Sequence, residues 1–427
     1  MNKMKAIKRS LVGILALVLG STLLSGPAQA VSPLVISDIY NPLKVLKVEL
    51  SLPASSVTSL NNPTTFKIYV PATLNMSVSG RSSGNLDVTV RLKGSTSIYS
   101  LDETPSFKIK FKKGANGLGY LGLRRLTLNA MVQDSSKIHE YGAYTLFNAM
   151  GLPASKTGWA HTFINGKDRG LFVNVEQPDQ IFISKRFKDI TQHVYEGTSR
   201  KDLQFGNDDG IADTGAFLAD YGWKTTPNKN DLTKLINYAN DWDPKSRHDN
   251  LPQVIDRTGL IKFMAVENFL GHWDGYSGSN INNYFLRSNT RNVFTIIPWG
   301  TDQTFGENRF TEKLGDSFYL PLISETVQYG WTSTGSRGRL YTQCINYKPC
   351  RTEYLLNLKA VSAMATKIKL GTKMRQVATV IEPVLAAQYK TRPSLLTLAH
   401  SEQTRSIGFL TTRHAEVKKL LLQYKIK

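Results

Sequence analysis

The sequence predicts an α+β protein whose first half is rich in strands and whose second half is rich in helices. From about Leu34 to Phe111, short alternating apolar segments are separated by Pro, Gly, Ser and Asn, a pattern typical of strands joined by turns. After about Asp256, apolar residues recur at helical spacing, apart from one hairpin. Strands grouped first and helices later indicate an α+β arrangement, here expected in two lobes.

The N-terminus has the three parts of a secretory signal peptide. It begins with four basic residues, Lys3, Lys5, Lys8 and Arg9. An apolar run over residues 11–24 and the small-residue pattern Ala28-Gln29-Ala30 follow, which predicts cleavage near Ala30 and export. The alternative is an uncleaved membrane anchor, but the apolar run is short and Pro27 interrupts the helix. No later apolar stretch reaches about eighteen residues, so the mature chain is expected not to span a membrane.

The chain is strongly basic, with 53 Lys and Arg residues against 33 Asp and Glu. Without the four charges of the signal peptide, 49 basic residues remain against 33 acidic ones, a net charge of about +16. Such a surface favours anionic partners such as nucleotides or acidic proteins, although solvated lysines that serve solubility would give the same excess. Nucleic acid is not an expected partner, since no zinc-ligand set or nucleic-acid motif is visible.

Cys344 and Cys350 are the only two cysteines. In an oxidising compartment they are expected to form a disulfide that closes a small surface loop. A metal pair is the less favoured alternative, because no histidine lies near them in the sequence.

Pattern changes give the order of the elements. Strands are expected at Leu43 to Leu50, Thr65 to Val70, Leu86 to Leu92, His161 to Phe163 and Leu171 to Val175. Asp134 is expected to cap a helix that runs to Met150, with Gly151 at its left-handed end. Asn165-Gly166 is expected to form the turn between the last two strands.

The most informative stretch runs from Asp256 to Gly306. Asp256 is expected to cap a helix that ends near Gly271, and a polar loop with Asp274 and Asn282 follows. A hairpin of Tyr284 to Leu286 and Val293 to Ile297 then leads to a loop that contains Asp302. Protein kinases bring together a catalytic-loop Asp and Asn and a magnesium-binding Asp by this order of elements.

Carboxylate and amide oxygens are the groups that phosphoryl transfer requires from the protein. They hold magnesium and orient the attacking hydroxyl. Asp and Asn are also ordinary turn residues, so Asp274 capping a turn and Asn282 bonding to backbone would explain the same pattern.

The spaced motifs of this chain resemble those of the CotH kinase family. They are Asp274, Asn282-Asn283-Tyr284-Phe285-Leu286, Pro298-Trp299-Gly300-Thr301-Asp302-Gln303-Thr304-Phe305-Gly306, Arg91-Leu92-Lys93-Gly94-Ser95-Thr96-Ser97, Ser106-Phe107-Lys108-Ile109-Lys110-Phe111, and Phe163-Ile164-Asn165-Gly166 followed by Gly170, Leu171 and Glu176. The similarity spans roughly Ile36 to Gly306, and the remaining residues look like generic helices. Gly300 stands where the family motif usually has a first aspartate, and Glu103-Thr104-Pro105 stands where it tends to have Pro-Lys-Lys.

The resemblance implies an atypical protein-kinase-like two-lobed fold that uses ATP and Mg²⁺ or Mn²⁺. Asp274 and Asp302 are the expected catalytic residues, and Asp302 and Asn282 the expected metal ligands. Lys108, chosen over Lys110, and Glu176 are expected to bind the nucleotide. In a strand, Lys108, Lys110 and Lys112 face away from Phe107, Ile109 and Phe111.

Two further sets of residues are weaker candidates. Glu140 either pairs with the strand lysine, as the helix Glu of kinases does, or is a solvent-facing helix charge. The turns Gly80 to Gly84 and Gly94 to Ser97 offer backbone amides to phosphates, but such turns are common.

These expectations divide the chain into a signal peptide (residues 1–30), a strand-rich N-terminal lobe (31–160), a C-terminal catalytic lobe (161–340) and a helical C-terminal extension (341–427). The expected function is a secreted or cell-surface protein kinase that acts on Ser/Thr of exported or surface proteins. The alternatives are a catalytically weak or inactive surface binding and assembly protein of the same family, and a phosphotransfer or hydrolase activity on non-protein groups. Fold likeness alone does not decide among them.

Overall fold

The fold is described from a computed structural model, which covers residues 32–94, 99–114, 117–189, 193–197, 202–204, 217–219, 229–278, 280–306, 322–323 and 337–426. The expected signal peptide and residues 95–97 of the expected phosphate-binding turn lie outside these residues. The strands are β1 (Ser32–Pro33), β2 (Val45–Ser51), β3 (Val70–Val78), β4 (Arg81–Lys93), β5 (Ser106–Phe111), β6 (Arg125–Asn129), β7 (Thr157–Ile164), β8 (Lys167–Val175), β9 (Val194–Gly197), β10 (Phe217–Ala219), β11 (Tyr284–Ser288) and β12 (Phe294–Pro298). The α-helices are α1 (Ile36–Ile39), α2 (Ala54–Asn61), α3 (His139–Ala149), α4 (Gln180–Arg186), α5 (Asn230–Ala239), α6 (Pro244–Asn250), α7 (Arg257–Leu270), α8 (Arg339–Asn346), α9 (Lys348–Lys367), α10 (Leu370–Gln388) and α11 (Pro393–Gln423).

Strands β2 to β8 close into a barrel. Their order is β4-β3-β2-β7-β8-β6-β5, and β5 pairs with β4 to complete the ring. Side chains alternate along each strand, so every second residue points into the barrel. Phe107, Ile109 and Phe111 of β5 lie on one face, as predicted, and that face is buried in the interior cluster. Phe107 lies between Leu92 of β4 and Leu128 of β6. The interior of the barrel is therefore an apolar core of its own.

The outer face of β7 and β8 belongs to a second core. Trp159, Leu171 and Val173 are buried in the cluster that also contains the apolar faces of α3, α7, α9 and α10. The backbone N–H of Leu171 donates to Oε1 of Gln388 at 2.9 Å, which ties β8 to the end of α10. Helices from the second half of the chain thus pack directly on barrel strands from the first half.

The α+β class is confirmed, but the expected two-lobed layout is not clearly present. The physical reason is the closed barrel and the core that it shares with the helices. The boundary expected after residue 160 falls inside β7, and the boundary expected after residue 340 falls inside α8.

A second sheet, with the order β10-β9-β11-β12, contains the hairpin predicted from the sequence. β11 and β12 pair antiparallel, with Phe285 opposite Ile297. Helix α7 begins as predicted, since the Asp256 side chain accepts from the N–H of Gly259 at 3.0 Å. It ends at Gly271, whose φ of 68° is the left-handed value that glycine adopts readily. The loop that contains Asp274 therefore follows the end of α7, and the loop that contains Asp302 follows the end of β12.

Two local predictions are wrong. Residues 65–68 form turns, and the strand expected there begins only at Val70. Helix α3 begins at His139, five residues after Asp134, so Asp134 is not its N-cap residue. The Asp134 side chain instead accepts hydrogen bonds from the N–H groups of Lys137 and His139.

The predicted disulfide is present between Cys344 and Cys350. It lies across the junction of α8 and α9, and both cysteines are buried rather than part of a surface loop. Within the described part of the chain, no helix has both the length and the apolar character that crossing a bilayer requires.

Candidate active site

Asp274 lies in the loop after α7 and is surrounded by asparagine amides. The Nδ2 groups of Asn280, Asn282 and Asn283 donate to its carboxylate at 2.5, 3.4 and 2.8 Å. Burial raises the pKa of Asp274, and these amides act in the opposite direction. All three amides donate to the Asp274 carboxylate through nitrogen. The pattern of Asp followed by asparagines thus forms one polar cluster.

Asp302 follows β12, and its backbone is fixed from several sides. Its carbonyl oxygen accepts from Nδ1 of His139 at 2.9 Å. The next side chain, Gln303, donates to the carbonyl of Gln133 at 2.6 Å, and the N–H of Phe305 donates to the carbonyl of Leu270 at 2.7 Å. The loop is therefore anchored both to the segment before α3 and to the end of α7.

Buried carboxyl groups have raised pKa values here, and Asp302 interacts with both Asp274 and Glu140. Burial, together with the negative charge of Asp274, raises the pKa of Asp302 to about 6. Burial and the charge of Asp302 raise the pKa of Glu140 to about 8. Asp274 and Asp302 are thus close enough for their charges to interact. Crowded carboxyl groups with raised pKa values are typical of functional sites that bind cations.

Lys93 is the lysine that acts on this carboxyl cluster. Its positive charge lowers the pKa values of both Asp302 and Glu140. Lys108 is buried on the same outer face of the barrel, since Arg91 is its direct partner and Lys93 lies two residues along β4. The charges of Lys108 and Lys93 both lower the pKa of Glu196 of β9, and Lys108 has the larger effect there. Lys93 lies within one of the motifs, but the sequence favoured Lys108, because strand alternation alone does not give the register of β4 against β5.

Glu140 is buried and interacts with Asp302, so it is not a solvent-facing helix charge. It lies in the first turn of α3, is 4% exposed, and accepts from Nδ2 of Asn129 at 2.7 Å. Asn129 ends β6, so this bond links the barrel to α3. Glu140 was expected to pair with the strand lysine Lys108 or to face solvent. The charge of Lys93, on the neighbouring strand β4, lowers its pKa.

Glu176 has different partners. Arg186 of α4 donates to both of its carboxylate oxygens, at 2.5 and 3.3 Å, and the N–H of Lys156 donates at 3.1 Å. Glu176 also lines a cavity of about 340 Å³ with Tyr40 and Lys185. Its recorded polar contacts are thus with α4 and the start of β7, and its role in nucleotide binding stays a prediction.

Gly300 occupies a position that a larger residue would disturb. Its φ is +50°, and a Cβ atom there would lie 2.5 Å from Oδ1 of Asn283. Asn283 is the amide that donates to Asp274 at 2.8 Å. An aspartate at position 300, as in the usual family motif, would therefore require Asn283 to move. Glycine here is matched to the asparagine cluster.

Two nearby residues have unusual backbone conformations. Ile281 has a φ of 27° and Phe305 a φ of 54°. Positive φ is unfavourable for β-branched and bulky residues and concentrates at functional sites. One lies in the Asp274 loop and the other in the Asp302 loop, so both loops of the site have strained backbone.

The donor set fits Mg²⁺ or Mn²⁺ held jointly with phosphates. Asp302 and Asp274 offer carboxylate oxygens, and Asn282 offers an amide oxygen that its bond to Asp274 leaves unused. The described residues contain no group of three or more His, Cys, Asp or Glu arranged as a complete metal cage. Mg²⁺ commonly binds through one or two carboxylates and completes its shell with substrate phosphates and water. The residues present therefore suit such an ion, with Asp302 as the principal ligand.

Comparisons with known proteins agree with the motifs. Residues 90–417 match the family model described as CotH kinase protein. The inner spore coat protein H of Bacillus subtilis is 23% identical over 202 residues, covering 47% of this chain and 55% of that protein. The invasin CotH2 of Rhizopus delemar is 26% identical over 222 residues, covering 47% of this chain and 35% of that protein. The chain thus aligns with about half or less of the length of these relatives.

Two solved structures show weaker likeness. The proinflammatory kinase CtkA of Helicobacter pylori is 12% identical with a TM-score of 0.32, covering 76% of this chain and 96% of that one. HipA of Shewanella oneidensis, in its complex with HipB and operator DNA, is 9% identical with a TM-score of 0.30, covering 77% and 68%. Likenesses of this size do not establish a shared fold.

The family match extends well beyond Gly306, where the motif resemblance ended. It includes the helices α8 to α10 and most of α11, which had looked generic in the sequence. Because the match covers most of the chain, including every residue of the carboxyl cluster, it establishes the family. This chain belongs to the CotH kinase family.

Proposed function

We propose that the protein is a metal-dependent protein kinase that transfers the γ-phosphate of ATP to Ser/Thr hydroxyls of exported or cell-surface proteins. The observation that supports this most is that the buried carboxyl group of Asp302 interacts with Asp274, Glu140 and Lys93. Phosphoryl transfer depends on positioning and charge neutralisation, and this cluster has groups for both. Membership of the CotH kinase family supports the same reaction.

The roles follow from the position of each group. Asp302 and Asn282 would hold Mg²⁺ or Mn²⁺, which when bound neutralises charge on the phosphates. Asp274 orients or deprotonates the acceptor hydroxyl, or shares in metal binding. Lys93 contacts phosphate oxygens and Glu140 keeps Lys93 in place, while Lys108 and Glu176 remain candidates for other parts of the nucleotide.

The place of action is proposed from the N-terminal residues and the relatives. Residues 1–30 have the pattern of a secretory signal. The relatives include an inner spore coat protein and an invasin. The disulfide is the kind of bond that persists in oxidising compartments. A secreted or surface location, with surface proteins as substrates, is consistent with all three.

The test is phosphate transfer by the purified protein and its variants. Labelled ATP, Mg²⁺ or Mn²⁺ and a Ser-rich acceptor are incubated with the wild type, Asp302→Asn, Asp274→Asn and Asp249→Asn. Asp249 is the matched control, because it is an exposed carboxylate paired with Lys245 at 2.5 Å. The two site variants should lose about 10²–10⁴-fold in rate, and the control should keep wild-type rate. Equal labelling by all four proteins would reject these roles.

A catalytically weak or inactive binding protein is the second candidate. The observation that favours it is Gly300, which removes one carboxylate that the family motif usually has. Nucleotide binding separates the two proposals. Folded wild-type protein that binds no nucleotide with either metal would support a role in surface binding or assembly instead of catalysis.

A further inference from the structure

The C-terminal helix α11 reaches the Asp302 loop through one buried histidine. His139, the first residue of α3, has no exposed surface, and its two ring nitrogens contact two distant segments of the chain. Nδ1 lies 2.9 Å from the carbonyl oxygen of Asp302, and Nε2 lies 2.7 Å from Oγ of Ser406 in α11. A carbonyl oxygen only accepts hydrogen bonds, so Nδ1 carries a hydrogen and donates. His139 thereby joins α3, the Asp302 loop and α11.

Other contacts between α11 and the same loop surround this bond. Nη1 of Arg405 donates to the carbonyl of Phe305 at 3.2 Å. The Phe409 ring meets the Phe305 ring edge-on at 6.2 Å between centroids, and it lies against Gly306. Nε2 of Gln403 donates to the carbonyl of Ser136, just before α3. One face of α11 therefore covers both the loop that carries Asp302 and the start of the helix that carries Glu140.

The backbone geometry gives this contact a functional consequence. Phe305 has a φ of 54°, which a phenylalanine adopts only where surrounding contacts hold it. The carbonyl of Asp302 and the carbonyl of Phe305 are both bound by groups that α11 supplies or holds. Loss of these bonds would let the loop relax and move the Asp302 carboxylate. A displacement of about 1 Å is enough to impair a site that works by positioning.

We propose that His139 is a positioning residue for Asp302 and that α11, through Ser406, holds His139 in that role. The functional part of this inference rests on the proposed function, in which Asp302 binds the metal. The positioning itself concerns only the loop and is tested without activity. The C-terminal helices that looked generic in sequence would then be part of the active-site architecture.

Two substitutions of His139 separate positioning from packing. The amide nitrogen of asparagine approximates the place of Nδ1, so His139→Asn keeps a donor for the Asp302 carbonyl and loses the bond to Ser406. The amide of glutamine approximates the place of Nε2, so His139→Gln reaches Ser406 and loses the donor to Asp302. Both remove a buried ring, and their losses of packing should be similar.

The first measurement is amide hydrogen exchange of residues 299–306 in the metal-free protein. Exchange should be faster than wild type in His139→Gln and close to wild type in His139→Asn, with Ser406→Ala between them. Ser362→Ala is the matched control, because Ser362 contacts His414 of α11 at 2.7 Å by the same kind of bond on another face of that helix. It should leave exchange of the loop unchanged. Equal acceleration in His139→Asn and His139→Gln would overturn the proposal, since packing alone would explain it.

The second measurement is binding of Mn²⁺ with an ATP analogue. Groups that orient metal ligands typically contribute about 10–100-fold to metal affinity or activity. His139→Gln should weaken Mn²⁺ binding by about tenfold or more, whereas His139→Asn should bind nearly as well as wild type. The two variants should have similar melting temperatures. If wild type itself binds no Mn²⁺–nucleotide, the proposed function fails, and the exchange experiment still decides whether His139 positions the loop. Should either His139 variant fail to fold, Ser406→Ala against Ser362→Ala decides by the same two readouts, and equal behaviour of that pair overturns the proposal.

Discussion

At the residue scale, the raised pKa values of Glu140 and Asp302 make metal-free stability depend on pH. Their folded values, about 8 and about 6, lie above the ordinary values of 4.5 and 3.8. A raised carboxyl pKa means that the native protein holds its proton more tightly than the unfolded chain does. The free energy of unfolding therefore falls as pH rises, between about 4 and 6 for Asp302 and between about 4.5 and 8 for Glu140, by up to about 1.4 kcal/mol per pH unit for each group.

Glu140→Gln tests this pH dependence. Glutamine keeps an oxygen for the bond from Asn129 but does not ionise, so it removes the larger of the two shifts. In the presence of a chelator, the melting temperature of the variant should exceed that of the wild type near pH 8.5, and the difference should vanish near pH 5. Parallel melting curves across that range would contradict the burial of an ionisable Glu140 beside Asp302.

Gly300→Ala tests the fit between the glycine and the asparagine cluster. A Cβ at position 300 would meet Asn283 at 2.5 Å and displace the amide that holds Asp274. We expect a loss of stability of about 1 kcal/mol or more from the positive φ, together with weaker metal–nucleotide binding. Gly84→Ala is the control for backbone strain, because its φ is +62° and nothing lies within 4 Å of the added Cβ. If both variants lost stability and binding equally, the contact with Asn283 would have no role.

Sequence alone indicated some residues of the site and not others, for a physical reason. Asp274 follows a capped helix and Asp302 follows a hairpin. Local sequence patterns were therefore enough to predict that the two loops lie near each other. Lys93 and His139 depend on contacts between segments far apart in the chain, and those contacts follow from the barrel register and the docking of α11. Periodicity carries no information on either.

At the element scale, the disulfide links α8 to α9 at a tight junction. Only six positions separate Cys344 from Cys350, so the loop that it closes in the unfolded chain is small. On the chain-entropy model, a loop of this size contributes about 2 kcal/mol, less than a long loop would. The Cys344→Ser/Cys350→Ser double variant should therefore melt several degrees lower and remain folded, as monitored by calorimetry. An unchanged melting temperature would show that the junction is held by packing alone.

The elements themselves were predictable where local chemistry decides them. The Asp256 cap, the Gly271 end of α7, the Asn165-Gly166 turn and the β11–β12 hairpin all follow from short-range rules. Barrel closure was not predictable, because it requires β5 to pair with β4 on one side and β6 on the other. The α+β class was predicted correctly, but the expected two-lobed layout is not clearly present, because the strands close into a barrel.

At the scale of the whole molecule, the barrel and the helices share apolar surface. The face of β8 that lies outside the barrel packs in the helical core, and a Cβ at Gly170 would lie 2.2 Å from Cδ of Gln388. This close approach leaves no layer of water between β8 and the end of α10. Chains of this length often unfold in several steps, but the shared core favours one cooperative transition.

Leu171→Ala tests whether the two halves unfold together. Leu171 is 3% exposed and belongs to the helical core, although it lies on a barrel strand. Truncation of such a leucine costs about 2–5 kcal/mol. If the cores are coupled, far-ultraviolet circular dichroism and tryptophan fluorescence should give one coincident transition in the wild type, displaced as a whole to lower temperature in the variant. Two separated transitions, of which only one responds to Leu171→Ala, would show that barrel and helices are independent folding units. Coupling of the two cores also bears on the candidate site. Lys93 lies on barrel strand β4, and Asp302 follows β12 of the second sheet, so the distance between them is fixed only while the shared core is intact.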